Sequence, residues 1–187
     1  MIALKDNLGS PFVDRVRAFF SENGSLSKAK NFEFRSQQQE MAVRVAQALE
    51  EERHLIVEAG TGVGKSLGYL VPSVLFALEH HKKAIISTHT INLQEQLLYK
   101  DIPILKKVLS EDFEAGLMKG RQNYLCPRRL ERALQSAKEL FTGPEENELE
   151  RLAEWAGTTR DGSLSDLAVE PEPKVWMQVC SEAHICT

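Results

Sequence analysis

Apolar residues recur at helical spacing along most of the chain, interrupted by two short runs with continuous apolar centres. Residues 10–23 set Val13, Val16, Phe19 and Phe20 on one face, which predicts an amphipathic helix. A polar connector follows at 24–34, and a second helix is expected over 36–51, with Met41, Val45, Ala48 and Leu49 on its apolar side. The run His54–Glu58 has a β-branched centre and fits a buried parallel strand. A glycine-rich loop leads from it into a helix over 64–80, which Pro72 is expected to kink. Residues 83–88 read as a second strand. Residues 91–109 read as a helix through Leu93, Leu97, Leu98 and Ile104 that Pro103 bends or splits. Strand, loop, helix, strand and helix in that order predict a right-handed βαβ unit and a parallel α/β sheet.

The pattern changes after about residue 111. Residues 127–157 are charged and helical in spacing, and 158–174 are polar and proline-containing, so they read as a loop. The second part of the chain lacks strand alternation and reads as a small helical module.

Composition adds bounds. The chain has 187 residues, 42% of them hydrophobic and 27% charged, with a net charge of −4. That suits a soluble core, and nucleic acid would have to be met by a local basic patch. No apolar run reaches the roughly 18 residues of a membrane span, and the N-terminus lacks the layout of a secretory signal. A cytoplasmic protein is expected. The three cysteines, Cys126, Cys180 and Cys186, are odd in number and widely spaced, unlike a disulfide scaffold.

The chemistry concentrates first at Ala59-Gly60-Thr61-Gly62-Val63-Gly64-Lys65-Ser66. This is the G-x-x-x-x-G-K-[ST] phosphate loop with alanine in first place. Its glycines let successive N–H groups converge on an anion at the N-terminus of the next helix. Lys65 brings a point charge to the β and γ phosphates, and the Ser66 hydroxyl is a natural Mg²⁺ ligand. A nucleoside triphosphate, most simply ATP, is the expected ligand.

Three further clusters flank the loop. Gln38, in Arg35-Ser36-Gln37-Gln38-Gln39-Glu40-Met41, carries both a donor and an acceptor suited to an adenine edge; a solvated helix start is the plain alternative. Thr88, Thr90 and Gln94 follow the second strand, where α/β sheets hold ligands, and can meet nucleic-acid phosphates; helix capping by the threonines is compatible with that. Lys119, Arg121, Arg128, Arg129 and Arg132 surround Tyr124, a combination suited to single-strand phosphates and base stacking, or else a solvated helix face with ion pairs. Trp155 and Trp176 read as packing residues.

Taken together, RSQQQEM (35–41), EAGTGVGKS (58–66), YLVPSVLFAL (69–78), STHTINLQEQL (87–97) and KGRQNYLCPRRL (119–130) resemble superfamily 2 helicases, and more narrowly the DinG/XPD-type DNA helicases that carry an iron–sulfur cluster. The resemblance is close over residues 30–130 and looser elsewhere. It implies a P-loop NTPase of the RecA-like motor type, incomplete within this chain, followed by a mainly helical iron–sulfur insertion. The implied division is 1–30 for an N-terminal helix and connector, 31–118 for the first part of the ATP-binding domain, and 119–187 for a truncated insertion. It assigns adenine to Gln38 and single-stranded DNA to the Thr88–Leu97 stretch. It gives Cys126 and Cys186 as [4Fe–4S] ligands, with Cys180 an extra cysteine and the remaining ligands expected past Thr187. A zinc site using His184 with Cys180 and Cys186 is the metal alternative.

The implied activity is an ATP-dependent, 5′→3′ DNA helicase of repair or replication, expected to act on single-stranded or forked DNA as a cytoplasmic or nucleoid-associated monomer. A non-helicase P-loop ATPase and a zinc-stabilised nucleic-acid-binding module are the rivals. No DEAH-like motif occurs in the sequence, so the 187 residues alone are expected to hydrolyse ATP negligibly. From the short N-terminal segment, no upstream nuclease is expected.

Overall fold

A computed structural model describes residues 10–29 and 33–186. The chain divides into two compact units, Met1–Leu117 and Met118–Thr187.

In the first unit, α1 (Pro11–Phe19) starts where Ser10 caps it: the Phe12 amide donates to Ser10 Oγ at 3.2 Å, and Pro11 occupies the first turn. Phe12, Val13, Val16 and Phe19 are buried along its inner face, as their spacing predicts. The helix α2 (Ser36–Glu50) packs along α3 (Lys65–Glu79). Small residues permit this close approach. Ala42 and Ala46 are fully buried, and a Cβ on Gly68 would come within 3.2 Å of Met41 Sδ. The buried stripe of α2 is therefore Gln38, Ala42, Val43 and Ala46, rotated from the expected face of Met41, Val45, Ala48 and Leu49. The larger residues lie half-buried at the margins of the contact, because small residues suit the seam between two close helices.

Pro72 lies inside α3, which continues through it. Its missing N–H removes one helical bond to the Gly68 carbonyl. Phe12 closes the core with an edge-to-face contact on Phe76, ring centres 5.7 Å apart.

The stretch after Thr90 is split as its proline suggests. A short helix α4 (Ile91–Gln96) widens into a π-helical turn (Leu97–Asp101) and then resumes as α5 (Ile102–Val108), with Pro103 in the first turn of α5. Leu97, Ile102 and Leu105 turn into the core.

The two predicted strands are not formed among the described residues. Residues 54–58 and 83–88 enter no ladder, and Ile56 and Ile85 are 97% and 91% exposed. The expected parallel sheet is thus corrected for this chain. The reason lies in what a parallel strand needs: partners on its edges and cover on both faces. A pair of strands alone gains too little, and no third strand is offered among the described residues.

In the second unit, α6 (Pro127–Gln135), α7 (Ala137–Leu140), α8 (Gly143–Ala156) and α9 (Pro173–Val179) surround Leu130, Phe141, Leu149, Leu152, Val175, Trp176 and Val179. A capping box fixes the start of α8, where the Thr142 amide donates to Glu145 at 2.8 Å. The α9 helix begins within the region read as loop. Its signal is the spacing of Val175, Trp176, Val179 and Cys180 behind Pro173. Trp176 packs inward and donates its indole N–H to the Gln122 carbonyl at 2.7 Å.

Candidate nucleotide site and cysteine pair

The phosphate loop leads directly into α3. Gly62 and Gly64 hold φ of 80° and 84°, a left-handed backbone that glycine adopts without steric cost. This brings the loop around to the N-terminus of a 15-residue helix, where unpaired N–H groups and the helix dipole favour an anion. Lys65 Nζ donates to the carbonyls of Ala59 at 3.1 Å and Gly60 at 2.7 Å, so the ammonium lies folded within its own loop. Thr61 and Val63 complete the turn between these glycines. Burial raises the Tyr69 pKa, an effect that Ser66 on the preceding turn opposes.

Residues from the start of α2 support the loop. Gln38 is buried, and its amide Nε2 donates to the Gly64 carbonyl at 2.8 Å. Arg35 donates to the Gly62 carbonyl and is itself held by Glu33 at 2.7 Å. The structure therefore places Gln38 against the phosphate loop itself.

Thr90 caps α4: the Leu93 amide donates to its Oγ1 at 3.3 Å, and Thr88 Oγ1 donates to the Thr90 carbonyl at 3.0 Å. Gln94 lies on the first turn of α4, half-buried. Farther along, Gln96 donates to the buried Asp101 at 3.3 Å, and desolvation raises the Asp101 pKa.

In the second unit, the segment 124–126 lies antiparallel to 179–181. The Cys126 amide donates to Val179 at 2.8 Å, and the Ser181 amide donates to Tyr124 at 2.7 Å. This brings distant cysteines together. Cys126 is buried at the N-cap of α6. The Cys186 pKa is lowered, first by the neighbouring Cys126 thiol and then by the Glu182 amide, which donates to Cys186 Sγ at 3.5 Å. Cys180 is buried, and desolvation raises its pKa, so it stays a neutral thiol. Among the described residues, no group of three or more His, Cys, Asp or Glu side chains converges as a metal centre, and the set of Cys180, His184 and Cys186 is not assembled.

The basic residues near Cys126 divide into two kinds. Arg128 and Arg132 are exposed on α6, as is Arg121 before it. Arg121 donates to the Cys186 carbonyl at 3.0 Å, and Arg129 reaches across to α9. Lys119 is buried and donates to Ser163 and Ser165. Tyr124 accepts a hydrogen bond from the Lys119 amide at 2.9 Å, which fixes its hydroxyl. The internal role of Arg129 was not readable from composition, because its partners lie about fifty residues away on a helix that the polar spacing hid.

Residues 36–137 match the DEAD/DEAH box helicase family. The chain is 36% identical over 181 residues to the ATP-dependent DNA helicase YoaA of Haemophilus influenzae, which covers 94% of this chain and 27% of that protein. It is 38% identical over 165 residues to the ATP-dependent helicase DinG of Mycobacterium tuberculosis, covering 80% of this chain and 25% of that protein. A Bacillus subtilis relative named 3'-5' exonuclease DinG is 34% identical over 136 residues, covering 73% of this chain and 14% of its own length. The chain spans about a quarter of the length of the two helicases.

Proposed function

This chain belongs to the DEAD/DEAH box helicase family, and on that premise we propose that its full-length protein is an ATP-dependent DNA helicase of the DinG/YoaA kind. Membership implies a P-loop NTPase fold. The observation that carries the reading is the loop Ala59–Ser66, bent by two left-handed glycines onto the start of α3 and braced by Gln38.

The loop amides receive the phosphates of ATP. Lys65 leaves the Ala59 and Gly60 carbonyls for the β and γ phosphates, and Ser66 offers its hydroxyl to Mg²⁺. Gln38 stands beside the loop as the adenine-side residue. Thr88, Thr90 and Gln94 meet the backbone of single-stranded DNA, joined by the exposed guanidinium of Arg121 and by Tyr124.

The thiols of Cys126 and Cys186 suit two of the roughly four thiolates of a [4Fe–4S] cluster, because the segment of Cys126 pairs with residues 179–181 and the Cys186 pKa is lowered. Such a cluster, when bound, supplies a rigid covalent tie across the helical module. The proposal extends to 5′→3′ movement on forked DNA, to repair or replication, and to a cytoplasmic setting; no helix among the described residues is long and apolar enough to cross a membrane.

The test is ATP turnover by the full-length protein with and without single-stranded DNA. Strong stimulation that Lys65→Ala abolishes supports the helicase. Turnover indifferent to DNA leaves a P-loop ATPase of another kind.

A further inference from the structure

The second unit contains a guanidinium whose donors are directed at one short segment. Arg129 Nη2 donates to the Met177 carbonyl at 2.7 Å, and Nη1 donates to the Cys180 carbonyl at 2.7 Å and to Glu182 Oε2 at 2.9 Å. Its side chain is only 15% exposed. Met177 and Cys180 lie at the C-terminal end of α9, where carbonyls lack helical donors and a cation is favoured. Glu182 begins the turn that ends in Cys186, and its own amide donates to Cys186 Sγ.

Arg129 also sits three residues after Cys126, on the first turn of α6. One helical turn therefore carries both the Cys126 thiol and the fork that fixes the Cys186 segment. A planar guanidinium can span three acceptors in fixed directions, whereas an ammonium is a point charge without that fork.

We propose that Arg129 is a positioning residue: by holding the end of α9 and Glu182 together, it fixes the segment that carries Cys186 beside the strand-like segment that carries Cys126, with which residues 179–181 pair. This rests on the reading of those two cysteines as metal-cluster ligands only for its purpose; the positioning itself is a property of the thiols. It also removes Arg129 from the set of DNA-contacting cations suggested by composition.

The experiment has two readouts on the full-length protein. The first is diamide oxidation of the reduced, metal-free protein, with disulfides mapped by peptide mass spectrometry; diamide takes up the two thiol hydrogens as the S–S bond forms. The second is iron and acid-labile sulfide content after anaerobic purification. Wild type is expected to give the Cys126–Cys186 disulfide preferentially. Arg129→Ala is expected to lose that preference and to retain iron about tenfold less well, the scale of outer-shell substitutions at metal sites. Arg129→Lys is expected not to restore either readout. Glu182→Ala, a change at a half-exposed side chain, is expected to move both in the same direction and serves if Arg129→Ala fails to fold. Wild-type protein that holds no iron yet forms an Arg129-dependent Cys126–Cys186 disulfide supports the positioning role and removes the cluster. Absence of that disulfide in wild type, or its full retention in Arg129→Ala and Glu182→Ala, overturns the proposal.

Discussion

Gln38 and Gly64, 26 residues apart, are joined by a hydrogen bond of 2.8 Å from the glutamine amide to the glycine carbonyl. The contact is so close that a Cβ on Gly64 would lie 2.1 Å from Gln38 Nε2. Gly64 therefore answers two demands at once, a left-handed φ and room for the buried side chain of α2.

Gly64→Ala should accordingly destabilise the first unit and disable nucleotide binding. The positive φ alone costs about 1–2 kcal/mol for an L-residue, and the clash adds to it. Thermal unfolding and titration with a fluorescent ATP analogue measure the two effects. The double variant Gln38→Ala, Gly64→Ala should recover the clash but not the backbone cost, so partial recovery is the expected outcome.

Lys65→Ala should leave the unfolding midpoint nearly unchanged. The ammonium bonds only to exposed loop carbonyls, and exposed contacts of this kind contribute on the order of 0–1 kcal/mol. Nucleotide affinity should fall sharply, because the proposed role of Lys65 is to meet the phosphates. A large loss of stability in this variant would show that Lys65 holds the loop's fold.

Acid should weaken the second unit through Glu145. Its pKa is lowered from the ordinary 4.5, chiefly by the Lys174 ammonium and then by the Thr142 amide. A carboxylate with a lowered folded pKa contributes stability that is fully present above the unfolded value. That contribution is lost as pH falls from 4.5 through the folded pKa. Lys174→Met should remove part of it at neutral pH and leave the acid limit unchanged. Unfolding midpoints from neutral pH to below the carboxylate range check this.

Asp101 should behave in the opposite sense. Burial raises its pKa above 3.8, so the ionised form is disfavoured in the folded state. Asp101→Asn keeps an acceptor for Gln96 and should raise stability at neutral pH. The gain should vanish below the ordinary carboxylate range, where aspartic acid is neutral in both states. Denaturant unfolding at neutral and acid pH compares the two; equal midpoints at neutral pH would argue that Asp101 is well solvated.

Much of the local structure was legible in order. Ser10 and Pro11 mark the start of α1, and the spacing of Val13, Val16 and Phe19 gives its buried face. Pro103 marks the break between α4 and α5. These signals act over a few residues, so the sequence displays them directly. The buried face of α2 was misjudged because hydrophobicity favours Met41 and Leu49, whereas the helix contact selects Ala42 and Ala46 for their size.

The sequence by itself determined the phosphate loop, since glycines, lysine and serine at fixed offsets define its backbone and charges without reference to anything distant. It also determined most helices, through periodicity and capping. Tertiary structure alone decided that Gln38 buttresses Gly64, that the segment of Cys126 pairs with that of Cys180, and that Arg129 turns inward. It likewise decided that the runs around Ile56 and Ile85 stay unpaired. Each of these depends on which surfaces meet in space, and a strand or a buried side chain acquires its partner only from chain that is remote in sequence.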